Sequence, residues 1–453
     1  MRQLAELAEL FADSVIGDPV GVELTGITLA TADLRPGEVF VAIAGANRHG
    51  AEFAAAAAEA GAVAVITDAA GAAIAAGAGI PVLIVDNPRA LLGTLSAWVY
   101  GTGTGSDTLS GRALAAASKD LPPMPLLFGT TGTNGKTSVS HLLEGILQQV
   151  GAVTGLSSTA ERHIGDQIVV SRLTTPEASE MHALLALMRE RGVEAVAVEV
   201  SAQALSRHRV DGIVFDVAGF TNLSHDHLDD YADMREYFEA KAPLFQPDRA
   251  RRGVVSLDTA AGHEIVAGAG IPIVTVGTPA IAQDATAAAA ASWVVTIGDE
   301  VQAYTEFTLS GPDGRSLTTR VPVIGPHMAA NASLAIVMML EVGYEWDAIV
   351  KALTRDGGIR AYLPGRTERV SGDTGPAVFV DFGHSPDAFE KTLAAVRRVT
   401  PGKVLMLFGA DGDRDASKRL DMGRTAVEGS DILVVTDHPP RFAPTSSHRA
   451  TLI

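Results

Sequence analysis

The chain has 453 residues, 47% hydrophobic and 19% charged, a composition typical of a globular protein with room for about three domains. Its formal net charge of −18 argues against a general binder of nucleic acids or anionic membranes. The absence of cysteine excludes disulfides, thiol catalysis and thiolate metal sites. The first six residues lead into an amphipathic helix with acidic residues, unlike a signal peptide, and no apolar run is long enough to span a bilayer. We therefore expect a cytoplasmic protein that neither binds nucleic acid nor inserts into a membrane.

Short strands and helices alternate in the first segment, residues 1–117. The apolar patterns predict strands at 38–43, 62–67 and 81–86, and helices at 51–60 and 89–100. Residues 101–123 are rich in Gly, Ser, Thr and Pro, which is typical of a linker. We place the end of the first domain at residue 117 and assign 118–123 to the connection with the next domain.

The most informative motif opens the second segment, residues 124–358. Apolar residues 126–128 predict a buried strand, and a helix pattern follows with Gly151 as its end. The turn between them is of the glycine-rich kind that binds phosphate through backbone N–H groups and a helix N-terminus. It consists of Gly129, Thr130, Thr131, Gly132, Thr133, Asn134, Gly135, Lys136, Thr137 and Ser138.

Two side chains of this turn carry nucleotide chemistry. Lys136 is placed to reach the β- and γ-phosphates, and the hydroxyl of Thr137 is placed to bind Mg²⁺. The general pattern of such loops has a glycine where this chain has Thr130, so the loop is a variant form. The motif predicts a reaction driven by a nucleoside triphosphate.

Strand and helix patterns alternate through the rest of the second segment, which favours a largely parallel, doubly wound sheet. Residues 195–198 predict a buried strand that delivers Glu199 to the carboxyl edge of the sheet, where ligands of open α/β sheets bind. Taken alone, Glu199 fits a solvated strand end; beside a phosphate loop it is a candidate Mg²⁺ ligand. Lys241 lies on a predicted helix, where a solvated lysine is the ordinary interpretation.

The third segment, residues 359–453, begins close to the turn at 364–366. Strands are predicted at 377–381, 404–408 and 432–436, which indicates another open α/β sheet. The residues after 436 contain three prolines and offer no convincing further strand, so we expect this sheet to be incomplete.

On these motifs the chain resembles the bacterial Mur ligases of peptidoglycan synthesis, most closely the MurE type. That type adds the third amino acid to UDP-N-acetylmuramoyl-L-alanyl-D-glutamate. The resemblance covers residues 26–441, and the short loop form of the family, matched by 132–137, accounts for Thr130. Further matching stretches are 173–176, 221–229, 364–366, 381–387 and 409–419.

The resemblance implies an α/β fold of three domains. These are an N-terminal α/β domain for the UDP-sugar substrate, a central P-loop ATPase with a mostly parallel sheet, and a Rossmann-like C-terminal domain that is incomplete here. The cofactors it implies are ATP and Mg²⁺. The partners it implies are UDP-N-acetylmuramoyl dipeptide and a free diamino acid, bound by a monomer.

The resemblance also implies catalytic and metal-binding roles. The catalytic residues would be Lys136, His227 and Lys241, the last of them carbamylated by CO₂. The Mg²⁺ ligands would be Thr137, Glu199, His227 and the carbamate of Lys241. Carbamylation needs a neutral amine, and therefore a lysine whose surroundings lower its pKa.

Binding roles follow in the same way from the matching stretches. Besides the phosphate loop, the ATP contacts would be Asn331, Arg366 and Asp381, the last of them binding the ribose. The substrate contacts would be Thr31, Thr174, Thr175, Ser201, Arg209, Arg414 and Arg441. Arg414 would face the carboxylate of the incoming amino acid, where a planar guanidinium suits bidentate pairing.

The chain departs from the family pattern in four places. Thr31 keeps its hydroxyl but lies between alanines where the family has Asp and Arg, and Met328 replaces an Asn that contacts adenine. The segment that selects the amino acid, Asp-Asn-Pro-Arg in some members, reads His-Pro-Pro-Arg at 438–441. Residues 445–453 do not resemble the family's continuation, so we expect a truncated C-terminus with reduced stability and activity.

The implied reaction is ATP-dependent ligation. ATP phosphorylates the D-glutamate carboxylate of the UDP-dipeptide to an acyl phosphate, which the amine of a diamino acid attacks. Arg414 and Arg441 favour meso-diaminopimelate, with lysine, ornithine and diaminobutyrate left open. The alternatives are the same chemistry on another substrate, as in MurF, MurD or folylpolyglutamate synthase, and a non-catalytic paralogue of the family.

Overall fold

The fold was determined as a computed structural model that describes residues 2–45, 47–103, 122–409 and 417–436. The chain divides into two compact units. The first unit contains Met1–Pro125, Thr175–Glu194 and Gln203–Val214, and the second contains Leu126–Thr174, Ala195–Ala202 and Phe215–Ile453. Most of the predicted linker, residues 104–121, lies outside the described residues.

The helices and strands are numbered here in chain order over the described residues. The α-helices are α1 Leu4–Phe11, α2 Ala54–Glu59, α3 Ala69–Ala75, α4 Pro88–Tyr100, α5 Lys136–Gln149, α6 Ala178–Glu190, α7 Ala202–Ser206, α8 Met234–Glu239, α9 Ala260–Gly268, α10 Ala285–Ala289, α11 Pro326–Glu341, α12 Trp346–Asp356, α13 Pro386–Arg398 and α14 Arg419–Gly429. The strands are β1 Arg2–Gln3, β2 Ser14–Ile16, β3 Glu23–Leu24, β4 Gly26–Thr28, β5 Glu38–Val41, β6 Ala64–Thr67, β7 Val82–Ile84, β8 Leu126–Thr131, β9 Thr154–Ser157, β10 Glu161–Ile164, β11 Gln167–Val170, β12 Ala195–Glu199, β13 Val217–Phe220, β14 Gly253–Ser256, β15 Ile273–Gly277, β16 Trp293–Val301, β17 Tyr304–Ser310, β18 Ser316–Val321, β19 Glu368–Arg369, β20 Phe379–Val380, β21 Leu405–Phe408 and β22 Ile432–Val435.

A large sheet forms the centre of the second unit. Its eleven described strands lie in the order β11-β10-β9-β12-β8-β13-β14-β15-β16-β17-β18. From β9 to β16 in this order the strands pair in parallel, and the pairs at both ends are antiparallel. The middle strands β8, β12, β13 and β14 are short, largely apolar and, apart from Leu126, buried, as expected where helices cover both faces. The predicted mostly parallel sheet is confirmed.

The register of three neighbouring strands creates one functional edge. Glu199 at the end of β12 lies opposite Thr130 of β8, and Phe220 at the end of β13 lies opposite Thr131. The carboxyl ends of the three strands therefore stop at the same level. The turns that follow them must share one edge of the sheet, which is where ligands of open α/β sheets bind.

The first unit has a smaller sheet of the order β2-β7-β6-β5-β4 among its described strands. Strands β4 to β7 are parallel and β2 is antiparallel. Helix α1 adds Leu4 and Leu7 to the core, and α4 adds Trp98. The strands predicted in this segment are present but shorter than predicted. The helix predicted at 51–60 is a turn of 3-10 helix, Gly50–Phe53, followed by α2, and the helix predicted at 89–100 is α4, which begins one residue earlier.

Among the described residues, the strand predicted at 377–381 does not pair with the other two strands predicted in the third segment. Only Phe379–Val380 is a strand, and it pairs antiparallel with β19, while β21 and β22 pair in parallel. The short polar turn between 370 and 378 closes with the bond from Val370 N to Val378 O, so the chain returns directly and makes no crossover. None of the described helices is both long enough and apolar enough to cross a membrane.

The first unit buries one fully satisfied histidine, His182 on α6. Its Nε2 lies 2.9 Å from the carbonyl oxygen of Asp211, and its Nδ1 lies 2.7 Å from the hydroxyl of Thr102. A carbonyl only accepts, so Nε2 carries the proton and Nδ1 accepts from Thr102. Burial lowers the pKa of His182 to about 4, below the 6.5 of an exposed histidine.

We predict that this histidine makes the protein less stable in acid. The unfolded chain binds a proton at His182 below about pH 6.5 and the folded chain does not, so stability is lost as pH falls from 6.5 towards 4. Urea unfolding should be measured at pH 7.5 and at pH 5. Between these two values the free energy of unfolding should fall by about 2 kcal/mol more in wild type than in His182→Gln. Equal losses in the two proteins would contradict the prediction.

Candidate functional site

The phosphate-binding turn lies between β8 and α5, as predicted. Gly132 has φ 144° and Gly135 has φ 94°, a backbone region that L side chains rarely adopt. A Cβ on Gly132 would collide with the hydroxyl of Thr221, and one on Gly135 would lie 2.7 Å from Asn331 Oδ1. No described side chain caps the N-terminus of α5, so its first N–H groups remain available to an anion.

Side chains from the strand next to β8 hold the turn in shape. Asn222 follows directly after β13. Its backbone carbonyl oxygen accepts the N–H of Thr133, and its side-chain oxygen accepts the N–H of Asn134. Its amide returns a hydrogen bond to Asn134 O at 3.0 Å. The Asn134 side chain in turn donates to Asp387 Oδ2 at 2.8 Å, at the start of α13. The loop is therefore preorganised, and one of its side chains reaches the third segment.

Two lysines converge on one carbonyl of the turn. Lys136 Nζ donates to Gly132 O at 3.0 Å and to Thr133 O at 2.8 Å, and Lys241 Nζ donates to Gly132 O at 3.1 Å. Burial lowers the pKa of both lysines. At Lys136 the attraction of Glu199 acts in the opposite direction and raises the pKa. At Lys241 the repulsion of Lys136 lowers the pKa further. Lys241 Nζ also lies 4.1 Å from the centre of the Tyr237 ring.

The helix predicted through Lys241 is wrong. Helix α8 ends at Glu239, and Lys241 lies just before a 3-10 helix, Ala242–Phe245. Pro243 cannot donate the backbone hydrogen bond that would continue α8, so the chain turns at this point. The turn directs Lys241 into the site with 1% exposure, which also overturns the interpretation of a solvated lysine.

Glu199 ends β12 in a fully buried position at the same edge. Its Oε1 accepts the N–H of Thr159 at 2.9 Å and its Oε2 accepts the Thr159 hydroxyl at 3.0 Å. The Thr159 hydroxyl also lies 3.0 Å from that of Thr174. Thr159 was not predicted as a site residue, although it follows β9, the parallel neighbour of β12. The rule that ligands bind at the carboxyl edge of the sheet, which indicated Glu199, applies to Thr159 equally.

The loop after β13 contributes His227 and Asp226. His227 has φ 59°, uncommon for a residue with a side chain, and burial lowers its pKa to about 4, so its imidazole is neutral and able to bind a metal. Three possible metal-binding atoms, one each from His227, Asp229 and Asp230, lie within 4.8 Å of one another.

Buried Asp226 of the same loop pairs with Lys418 Nζ at 2.7 Å. Its burial acts to raise its pKa, but the hydrogen bond from His384 and the neighbouring charges hold the pKa well below the usual range.

The third segment brings Arg366 and Asp381 to the turn. Arg366 donates to Thr137 Oγ1 at 2.7 Å, and its guanidinium lies 4.9 Å from the centre of the Phe382 ring. Asp381 accepts from the backbone and hydroxyl of Thr367 and from Gly383 N. Asp381 and Glu199 both attract the Arg366 charge, while burial lowers its pKa. Of the predicted ATP contacts, Arg366 therefore touches the loop and Asp381 lies within electrostatic reach of Arg366, while Asn331 lies beside Gly135.

The predicted substrate residues are distributed between the units. Thr174 lies beside Thr159, and Ser201 follows the end of β12, both in the second unit. Thr175, Arg209 and Thr31 belong to the first unit, where Arg209 donates to Thr175 O at 3.3 Å. Arg414 and Arg441 lie outside the described residues.

The donor set of the second unit suits a triphosphate with a divalent cation. Three basic side chains, fully buried Lys241 and half-buried Lys136 and Arg366, lie near the open N-terminus of α5. The hydroxyl of Thr137 and the carboxylate of Glu199 are hard oxygen donors of the kind that Mg²⁺ prefers. The residues present therefore fit both the triphosphate and the cation. Arg366 now donates to the Thr137 hydroxyl, so it must release that hydroxyl when a metal binds there.

Three protein-family models match consecutive parts of the chain. They are described as "Mur ligase family, catalytic domain" at residues 23–100, "Mur ligase middle domain" at 130–339, and "Mur ligase, glutamate ligase domain" at 365–452. The truncated C-terminus expected from the sequence gains no support from these matches, because the third one extends to residue 452.

Curated relatives match the chain over nearly its whole length. A UDP-N-acetylmuramyl-tripeptide synthetase from Leifsonia xyli subsp. xyli is 56% identical over 452 residues, which cover 100% of this chain and 83% of the relative. A UDP-N-acetylmuramoyl-L-alanyl-D-glutamate--2,6-diaminopimelate ligase from Streptomyces avermitilis is 41% identical over 448 residues, covering 99% and 83%.

Solved structures share the fold. A UDP-N-acetylmuramoyl-L-alanyl-D-glutamate--2,6-diaminopimelate ligase superposes with a TM-score of 0.69 at 23% identity, covering 100% of this chain and 85% of that one. A MurF ligase from Thermotoga maritima in complex with ADP gives a TM-score of 0.64 at 18% identity, covering 94% and 86%. The three-domain α/β fold expected from the sequence is confirmed.

We predict that Gly132→Ala damages the phosphate loop. The added Cβ meets Thr221 in a backbone region that disfavours side chains, so the free energy of unfolding should fall by roughly 1–3 kcal/mol and ATP binding should weaken. The matched control is Gly268→Ala, where nothing lies within 4 Å of the new methyl group. Urea unfolding and calorimetric ATP titration measure the two effects. Identical behaviour of the two variants would contradict the assignment.

Proposed function

Because the chain belongs to the Mur ligase family of ATP-dependent, ADP-forming amide-bond ligases, we propose that it adds the third amino acid to UDP-N-acetylmuramoyl-L-alanyl-D-glutamate. The observation that carries this proposal is the convergence of the phosphate turn, Glu199 and buried Lys241 at one sheet edge. The names of the relatives support this substrate. They also disfavour the alternatives, a ligase for another substrate and a non-catalytic paralogue. We further propose that the enzyme acts as a cytoplasmic monomer.

The proposed chemistry has two steps. The D-glutamate carboxylate attacks the γ-phosphorus of ATP, which breaks the bond to the β-phosphate oxygen and gives an acyl phosphate and ADP. The amine of the second substrate then attacks the acyl carbon, loses a proton, and expels inorganic phosphate. Both steps concentrate negative charge on phosphoryl oxygens, so they need fixed cations and exclusion of water.

The chain's own residues would supply the cations. Lys136 reaches back over the turn onto two carbonyls, a position from which its ammonium can move to a phosphate. Arg366 already lies at the first turn of α5, and its pairing with Thr137 would be exchanged for pairing with phosphate oxygens. Bound Mg²⁺ would neutralise phosphoryl charge, held by Thr137, Glu199, His227 and a carbamate on Lys241.

The environment of Lys241 supports its carbamylation. Burial and the repulsion of Lys136 lower its pKa well below the usual value, so its neutral amine is more accessible than that of an exposed lysine. That neutral amine would add CO₂ and release one proton, which gives an anionic carbamate beside Lys136. The change relieves the repulsion between the two lysines and supplies an oxygen ligand for a divalent cation.

The third amino acid is proposed to be meso-diaminopimelate. Relatives named as 2,6-diaminopimelate ligases support this choice at 41% and 36% identity. The family's binding residues for the second carboxylate correspond to Arg414 and Arg441, which are present in the sequence. Lysine, ornithine and diaminobutyrate lack that carboxylate, so they should bind less well.

We predict ADP release that requires both the UDP-dipeptide and an amino acid. A coupled ADP assay should be run with diaminopimelate, lysine, ornithine and diaminobutyrate, and with each substrate omitted in turn. Diaminopimelate should give the highest kcat/KM, and Lys136→Ala should be the inactive control because it removes the phosphate-binding ammonium. Unchanged ADP release after omission of either substrate would refute the ligase function.

We also predict that Lys241→Ala lowers kcat by about 10²–10³-fold, since it removes one group that stabilises phosphoryl charge. Lys351→Ala, at an exposed lysine of α12, is the matched control and should keep full activity. A carbamate signal in ¹³C NMR with labelled bicarbonate should be present in wild type and absent from Lys241→Ala. Full activity of Lys241→Ala would exclude the carbamate role.

A further inference from the structure

One buried histidine of the second unit has no part in the chemistry described so far. His141 lies on α5, one helical turn after Thr137, with 3% exposure. Its Nδ1 lies 3.0 Å from the carbonyl oxygen of Tyr362, and its Nε2 lies 3.1 Å from the hydroxyl of Ser158. The side chain thus connects three stretches that are far apart in the sequence.

The partners determine how the ring is protonated. The Tyr362 carbonyl only accepts, so Nδ1 carries a proton. Burial and the neighbouring His163 lower the pKa of His141 to about 4, so the ring is neutral and Nε2 is an acceptor that faces the Ser158 hydroxyl. The Ser158 hydroxyl also lies 3.0 Å from the carbonyl oxygen of Glu161, so its one proton has two acceptors. The Ser158 oxygen itself accepts the N–H groups of Ala160 and Glu161.

Both partners of His141 precede groups of the ATP site. Ser158 is followed by Thr159, whose backbone and hydroxyl both donate to Glu199. Tyr362 is four residues before Arg366, whose guanidinium donates to Thr137. His141 consequently stands between the support of a proposed Mg²⁺ ligand and the segment that carries a proposed phosphate-binding arginine.

The contact with Tyr362 is part of a longer stripe on one face of α5. Residues 137, 141, 145 and 149 recur at a spacing of four, which puts them on one side of a helix. A Cβ on Gly145 would lie 2.5 Å from Arg360 O, and Gln149 donates to Gly358 O and accepts from Arg360 N. Segment 358–366 therefore runs against α5 from its last turn to its first.

We propose that His141 is a positioning residue that holds segment 358–366 and the Ser158–Thr159 turn at fixed places on the phosphate-loop helix. Through them it sets the positions of Arg366 and Glu199 relative to the nucleotide. His141 contacts neither substrate nor metal, so its effect is exerted through these two groups. The expected effect of His141 on kcat rests on the proposed function. Its effect on the positions of the two segments rests on the contacts alone.

Three substitutions distinguish the effect of His141 on segment 358–366 from its effect on the Ser158–Thr159 turn. His141→Leu is similar in size and removes both hydrogen bonds. His141→Asn places an amide near the position of Nδ1 and keeps a donor for Tyr362. His141→Gln places an amide near the position of Nε2 and keeps a partner for Ser158.

The variants should differ in metal dependence. His141→Leu should lower kcat by about 10–100-fold, the effect of misplacing groups by less than ~1 Å. His141→Asn should require a higher Mg²⁺ concentration for half-maximal rate, because Thr159 no longer holds Glu199 firmly. His141→Gln should keep the wild-type Mg²⁺ requirement and lose kcat through Arg366. The control is His182→Gln, which replaces a buried histidine of the first unit and should change stability alone.

Binding gives a readout that does not depend on ligation. Calorimetric titration of a non-hydrolysable ATP analogue with Mg²⁺ should show affinity about tenfold weaker for His141→Leu than for wild type, a loss that His141→Asn and His141→Gln each restore in part. If His141→Leu does not fold, the Asn and Gln variants decide the question. Wild-type affinity and Mg²⁺ dependence in all folded variants would overturn the positioning role. An inactive wild type with these binding differences intact would refute the ligase proposal and leave this one standing.

Discussion

Two lysine side chains, fully buried Lys241 and half-buried Lys136, share a single carbonyl oxygen, that of Gly132, and the site depends on that arrangement. Burial lowers the pKa of both lysines, and the repulsion of Lys136 adds to the lowering at Lys241. The arrangement needs the turn at Gly132 and Gly135, whose positive φ values bring the backbone back under the lysines. It also needs Pro243 to end α8 where Lys241 can enter. A site with these basic side chains favours the binding of an anion.

The parallel sheet explains why so few side chains suffice. Strands β12, β8 and β13 end at one level, so the Glu199 carboxylate, the glycine-rich turn and the loop of His227 meet without long connections. Asn222 and Thr159 then fix the turn and the carboxylate by hydrogen bonds from neighbouring strands. These hydrogen bonds hold the second unit in shape where phosphate and metal would bind. Three residues of the third segment, Asp387, Lys418 and Arg366, contact this region through Asn134, Asp226 and Thr137.

Sequence patterns were most reliable where the chemistry is local. The turn between β8 and α5, the buried strand before Glu199 and the first-segment helices all follow from residues close together in the chain. Patterns failed where a contact across the fold decided the outcome. The strand predicted at 377–381 pairs with its neighbour in sequence, because a polar turn returned the chain before a crossover formed. Lys241 left its predicted helix because of one proline.

The sequence by itself determined the phosphate turn, the mostly parallel central sheet and the family resemblance, because each depends on residue types at fixed short spacings. Only the tertiary structure decided that Lys241 is buried beside Lys136, that Thr159 supports Glu199, and that His141 links the two flanking segments. Burial and hydrogen-bond geometry depend on residues up to 253 positions apart, and no local pattern records such distances. The lowered pKa values of Lys241 and His141 follow from burial, so they too became visible only in the folded chain.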